Sequence, residues 1–127
     1  MVRNSNRKKI LIVDDDDQIL HILKDMLIPN GYQVILARNG SEGVKTALDE
    51  KPGLILMDIM MPETDGYTAC YVLKSDERTK QIPLVMISGV GYELNKKLSE
   101  RLNADDYLVK PISVDDLLNT VNRFIGN

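Results

Sequence analysis

Five short apolar runs, each set apart from the next by a segment with helical spacing, constrain this chain more than any other feature. Ile10-Leu11-Ile12-Val13 is β-branched, wholly apolar and ends in acids, as suits a strand covered on both faces of a parallel sheet. Gln33-Val34-Ile35-Leu36-Ala37, Leu54-Ile55-Leu56-Met57, Pro83-Leu84-Val85-Met86-Ile87 and Tyr107-Leu108-Val109 repeat the pattern. Strand and helix signals in alternation imply βα units.

The intervening segments carry their own signals. Ile19, Leu23, Met26 and Leu27 share one helical face, and Pro29-Asn30-Gly31 ends that helix. Asn39 followed by Glu42 reads as a helix cap, with Val44, Ala47 and Leu48 turned inward. A third helix is expected over roughly Gly66 to Ser75. Leu94, Leu98 and Leu102 recur every four residues before Asn103, a residue that tolerates a left-handed helix end. Ser113 and Asp116 form a cap box for a last helix burying Val114, Leu117, Leu118, Val121 and Ile125. Because parallel crossovers are short and right-handed, five such units fold most simply as a doubly wound α/β sandwich. In such sheets a ligand sits at the carboxyl ends of the strands, where the strand order changes direction.

Composition narrows the classes of function. The 127 residues are 43% hydrophobic and 28% charged, which is ordinary for one globular domain. An N-terminal tail over 1–8 and a single domain over 9–127 are expected, since no interior linker or repeat interrupts the pattern. No apolar run approaches a membrane span and the first residues lack a secretion signal, so a cytoplasmic protein with no membrane insertion is expected. A net charge of −3 argues against direct nucleic-acid binding, and Arg3, Arg7, Lys8 and Lys9 read as a solvated tail. Cys70 is the single cysteine, which leaves it as a small buried residue with no disulfide partner. His21 is the single histidine and falls within the first helix as a structural residue.

The strand ends carry the chemistry. Asp14 and Asp15 follow the first run, Asp58 the third, Ser88 the fourth and Lys110 the fifth. Three carboxylates brought into one crevice repel one another, and a hard divalent cation such as Mg²⁺ with oxygen ligands relieves that repulsion. Lys110 adds a fixed positive charge and Ser88 a hydroxyl donor, so the site suits a phosphate dianion beside the metal. Taken singly, an acidic run before a helix is often only a cap, the reading that fits Asp16 and Asp17. The conjunction of four complementary groups on four strand ends is the specific signal.

The stretches Ile10-Leu11-Ile12-Val13-Asp14-Asp15, Leu56-Met57-Asp58-Ile59-Met60-Met61-Pro62 with Asp65-Gly66, Ser88-Gly89, and Ala104-Asp105-Asp106-Tyr107-Leu108-Val109-Lys110-Pro111 resemble the motifs of response-regulator receiver domains. The resemblance spans roughly Lys9 to Ile125. It implies a flavodoxin-like (βα)5 sandwich with a parallel sheet in the order 2-1-3-4-5. It also implies that Asp58 is a phosphoacceptor served by a phosphohistidine on a sensor histidine kinase or a histidine phosphotransfer protein. Asp15, Asp58 and the backbone carbonyl of Met60 would hold Mg²⁺, with Asp14 acting through metal-bound water. Lys110 and Ser88 would contact the phosphoryl oxygens, and Ser88 and Tyr107 would act as the switch toward a downstream protein target. Such a domain promotes its own phosphorylation and dephosphorylation. Met60 and Val90 would flank the path of an attacking water without orienting it. Asn103 replaces the family's usual Gly, and Ser88 its commoner Thr.

Two other classes share this kind of sheet. A small Mg²⁺-dependent phosphohydrolase also uses an aspartyl nucleophile, but needs a general acid and a substrate-selecting cap. A flavin carrier needs aromatic walls, and this chain has five Tyr, one Phe and no Trp. The last residues fall just past the final helix, so the domain is expected to act alone or as part of a longer regulator.

Overall fold

The computed structural model describes residues 8–59, 61, 66–89 and 92–126. Strands β1 (Lys9–Val13), β2 (Gln33–Ala37), β3 (Leu54–Asp58), β4 (Leu84–Ser88) and β5 (Asp106–Val109) alternate with helices α1 (Asp17–Leu27), α2 (Gly40–Glu50), α3 (Gly66–Ser75), α4 (Tyr92–Arg101) and α5 (Val114–Ile125). All strand pairs are parallel and the sheet order is β2-β1-β3-β4-β5. This is the doubly wound order expected from the motifs. A single 3-10 turn, Ile28–Asn30, closes α1 through Gly31 at φ 92°, a backbone region that glycine enters without steric cost.

The period-two alternation of the strands divides the core into two layers. Ile10, Ile12, Leu54, Leu56, Val85 and Ile87 face Leu20, Leu23 and Leu27 of α1 and Leu117, Val121 and Ile125 of α5. Leu11, Val13, Ile55, Met57, Leu84 and Met86 face Ala47, Ala69, Cys70 and Leu73 on the opposite side. Every residue of β3 and β4 is buried, which explains why those strands read as unbroken apolar runs. Each fully buried Leu or Ile contributes about 1.5–3 kcal/mol relative to an exposed one. Cys70 lies among them, and burial pushes its thiol up to about 11, as an inert structural cysteine should behave.

The helix starts follow the expected chemistry. Asp16 accepts from the Gln18 N–H at 2.8 Å, Asn39 from the Glu42 N–H at 2.8 Å and Ser113 from the Asp116 N–H at 3.0 Å, each satisfying a donor that the first turn leaves without an intrahelical partner. Asn103 adopts φ 69°, as its residue type allows. Three details differ from expectation. Val114 is 46% exposed, because as the first residue of α5 it projects from the opening turn before the helix reaches the sheet. Leu48 and Leu118 are only half-buried, and Leu20 takes a core place that the spacing had given to Ile19. Leu94 has a side chain outside the described set.

Replacing Ser113 by Ala should lower the denaturant-derived stability by about 1 kcal/mol, the usual value of such a cap. Val114→Ala, one residue later, should change it by less than about 0.5 kcal/mol because that side chain is exposed. Equal losses from both substitutions would contradict this placement of α5.

Candidate functional site

The chain visits β2 on one side of β1 and then crosses to β3 on the other, so the strand order reverses between β1 and β3. Val13 is the register partner of Met57, which sets Asp14 beside Asp58 one step beyond the strands' last shared pair. The ladder continues past the strand ends: the Asp14 N–H donates to Ala37 O at 3.0 Å, the Ile59 N–H to Ile87 O at 2.9 Å and the Lys110 N–H to Ser88 O at 2.9 Å. These bonds fix the directions in which the loops leave the sheet. The Asp16 N–H donates to Asp14 Oδ1 at 2.9 Å, so Asp16 both caps α1 and aims the neighbouring carboxylate.

A cleft of about 340 Å³ opens here, lined by Asp14, Asp15, Asp16, Asp58, Ser88, Gly89 and Lys110. Asp14 and Asp58 are 1% and 3% exposed, whereas Asp15 stands in solvent. The carboxylate oxygens of Asp14, Asp15 and Asp58 can lie within 4.8 Å of one another. Lys110 reaches across from the end of β5, its Nζ 3.2 Å from Asp58 Oδ1 and 3.4 Å from Asp14 Oδ2.

The electrostatics follow from burial. Desolvation, reinforced by the charge of Asp14, pushes the Asp58 carboxyl up to about 6 even though Lys110 opposes the shift. Asp14 is raised by desolvation as well, with the Asp16 N–H and Lys110 offsetting part of it. Burial would lower the Lys110 ammonium, but Asp58 and Asp14 outweigh it and hold the group above its ordinary value. Three carboxylates against one ammonium leave the cleft negative. Its donors are all hard oxygens, without a thiolate or imidazole, and this chemistry fits Mg²⁺.

Residues 10–122 match the family described as the response regulator receiver domain. The chain belongs to that family. Protein PilH of Pseudomonas aeruginosa is 41% identical to this receiver over 93% of this chain and 98% of its own length. The DNA-binding dual master transcriptional regulator RpaA of Synechocystis is 38% identical over 92% of this chain, which spans only 48% of that protein. The receiver domain of a Pseudomonas aeruginosa sensor histidine kinase, solved with magnesium coordinated in its active site cleft, superposes at a TM-score of 0.86. It shares 28% identity and covers 94% of this chain and 98% of its own. The flavodoxin-like receiver fold is therefore shared with relatives that are signalling domains.

Five of the residues expected at this receiver's site, Asp14, Asp15, Asp58, Ser88 and Lys110, come together in one cleft. Met60 and Val90 lie outside the described residues. Tyr107 stands apart: its half-buried ring packs on the α2–α3 side of the core and lines a separate pocket with Ser99, Ala104 and Asp105. His21 is exposed on α1, its ring nitrogen 2.7 Å from the Asp17 carbonyl. One positional requirement was hidden in the sequence. A Cβ on Gly66 would lie 2.2 Å from the Asp58 carbonyl oxygen, and the Gly66 N–H donates to Ile59 O at 2.9 Å. The start of α3 thus abuts the backbone of Asp58, and the Asp65-Gly66 motif was its only trace in the sequence.

Because Asp58 binds its proton more tightly folded than unfolded, stability should fall as pH rises from about 4 to about 6, and the cost is complete above that. Asp58→Asn in excess chelator should gain about 1–3 kcal/mol at pH 7.5 and close to nothing at pH 4. Urea unfolding at the two pH values measures the difference, and an equal gain at both would contradict burial as the cause.

Proposed function

We propose that this receiver takes a phosphoryl group onto Asp58 from a phosphohistidine of a sensor histidine kinase or histidine phosphotransfer protein, and that the modified domain changes its affinity for a downstream protein. The observation that carries the reading is the buried Asp58 carboxylate held between two further acids and the Lys110 ammonium at 3.2 Å. An Asp58 oxygen attacks phosphorus, the new O–P bond forms as the N–P bond breaks, and the released imidazole takes a proton from solvent. Asp15 and Asp58 would hold Mg²⁺ with the Met60 carbonyl, and Asp14 would act through water. Bound Mg²⁺ supplies positive charge against the phosphoryl oxygens. Lys110 leaves its contacts with Asp14 and Asp58 to pair with the incoming group, and the Ser88 hydroxyl donates to it.

The same residues give the domain a part in its own phosphorylation and later hydrolysis, as a switch and not as an enzyme that turns over a metabolite. The phosphohydrolase alternative has no counterpart among the relatives named above. No helix among the described residues is long and apolar enough to cross a membrane, and a cytoplasmic site of action accords with a kinase donor. Output would run from Ser88 through Gly89 toward α4 and Tyr107, because drawing the Ser88 hydroxyl to the phosphoryl group pulls on the connection that follows β4.

Incubation with acetyl phosphate and Mg²⁺ should add one phosphoryl group by intact mass, and none in excess chelator or in Asp58→Asn. Undiminished incorporation under either condition would refute the assignment. With a stable phosphoryl mimic and Mg²⁺, amide hydrogen exchange should change around residues 92–102 and Tyr107, and Ser88→Ala should blunt that response. An unaltered response in Ser88→Ala would remove Ser88 from the path.

A further inference from the structure

A second charged cluster lies at the opposite end of the sheet from the cleft. The Lys74 side chain, in the last turn of α3, is 8% exposed. Its Nζ lies 2.7 Å from Asp105 Oδ2 and donates to the carbonyl oxygens of Ile82 at 2.9 Å and Lys80 at 3.1 Å. An ammonium has three N–H donors, and each here has an oxygen. Asp105 is bound in turn: its Oδ2 accepts from the Leu84 N–H at 2.8 Å, and its own N–H donates to Leu84 O at 2.8 Å. Lysines facing solvent need no such arrangement, and a buried ammonium is retained only where its partners are complete.

The clamp acts on strand register. Leu84 opens β4 and Asp105 immediately precedes β5, so the two strands are pinned to each other at their starts. At their far ends, the Lys110 N–H donates to Ser88 O at 2.9 Å. Between these points β5 is an edge strand that pairs with β4 alone among the described residues, and none of its residues is fully buried. β5 pairs with β4 over four register positions, and the clamp adds a side-chain constraint at the end of that ladder farthest from Lys110. None of the clamp's hydrogen bonds involves β1 or β3, which carry Asp14, Asp15 and Asp58.

The geometry points to Lys74 as a positioning residue for the phosphoryl group: through Asp105 it locks β5 against β4 and sets where Lys110 and Ser88 stand relative to Asp58. This rests on the roles proposed above for Asp58, Ser88 and Lys110. It separates two properties that general loosening would change together. Mg²⁺ affinity depends on acids outside the clamp, whereas affinity for a phosphoryl group depends on the two strands the clamp aligns.

The test uses the full chain as parent, Lys74→Met and Asp105→Asn, each checked for folding by thermal melt. Mg²⁺ binding is measured by calorimetry, and beryllium trifluoride binding at saturating Mg²⁺ by fluorine NMR. Mg²⁺ affinity should stay within about twofold of the parent, while the fluoride binds about tenfold more weakly to Lys74→Met, the scale of loss on removing a supporting contact behind a site. Asp105→Asn should lose less, since its amide oxygen still accepts from the Leu84 N–H. Unchanged fluoride affinity in a folded variant, or a parallel fall in Mg²⁺ affinity, would overturn the inference. If Lys74→Met does not fold, Asp105→Asn decides by the same criteria. A parent that fails to bind the fluoride overturns the phosphoacceptor reading and the clamp's role with it, whereas a binding parent beside unaffected variants overturns the clamp alone.

Discussion

Asp14 and Asp58 are almost wholly buried beside one another, a placement offset by the Asp16 N–H on Asp14 and by Lys110 at 3.4 and 3.2 Å. Burial disfavours the ionised form of each acid, and the like charge of its neighbour adds to that, which is why Asp58 is pushed up to about 6. A single ammonium cannot neutralise three carboxylates. The residual negative charge makes the cleft a place where a cation lowers the energy of the folded protein, and it places the most perturbed carboxyl where a phosphoryl group can reach it. The sheet order is the means: only the reversal between β1 and β3 puts Asp14 and Asp58 at adjacent strand ends.

The acids and the groups that answer them are mounted differently. Asp58 ends β3, a strand buried along its whole length, and the Gly66 backbone closes on it from α3. Lys110 follows β5, an edge strand that is only half-buried. Local stability tracks burial and contact density, so the side of the cleft that carries Asp14 and Asp58 is the rigid one and the Lys110 side the more readily adjusted one. Tyr107 sits on that same edge strand, so the engagement of a phosphoryl group proposed for Lys110 and Ser88 would act on the strand whose Tyr107 ring lies at the margin of the core.

What the sequence disclosed and what it hid follow from the range of the interactions. Alternating apolar runs specified the layers, and Asn39 and Ser113 marked helix starts, because these are local effects of spacing and of one side chain on a nearby N–H. The acids, Ser88 and Lys110 were legible because a parallel sheet collects its strand ends on one side. Val114 misled because a helical face counts residues but not the exposed first turn. Lys51 ends α2 at φ 48° with nothing in its residue type to announce it. Lys74 looked like any lysine late in a helix. Its burial depends on where Asp105 falls, thirty-one positions away in the chain and adjacent only once β4 and β5 have paired.

The mounting of Lys110 on an edge strand also bears on how sharply the proposed switch would act. A ligand shifts a two-state equilibrium only by its differential affinity for the two states, and coupling between sites in one domain is commonly about 1–3 kcal/mol. That corresponds to a shift of roughly 5- to 150-fold, whereas reversing a 1:99 distribution needs about 5.5 kcal/mol. The proposed movement of one hydroxyl and one ammonium toward a phosphoryl group would act within the smaller range. A receiver that switches as proposed would therefore keep a measurable active fraction before modification and an inactive fraction after it. A partner that recognised the modified form proposed above would supply the remaining discrimination from its own contacts.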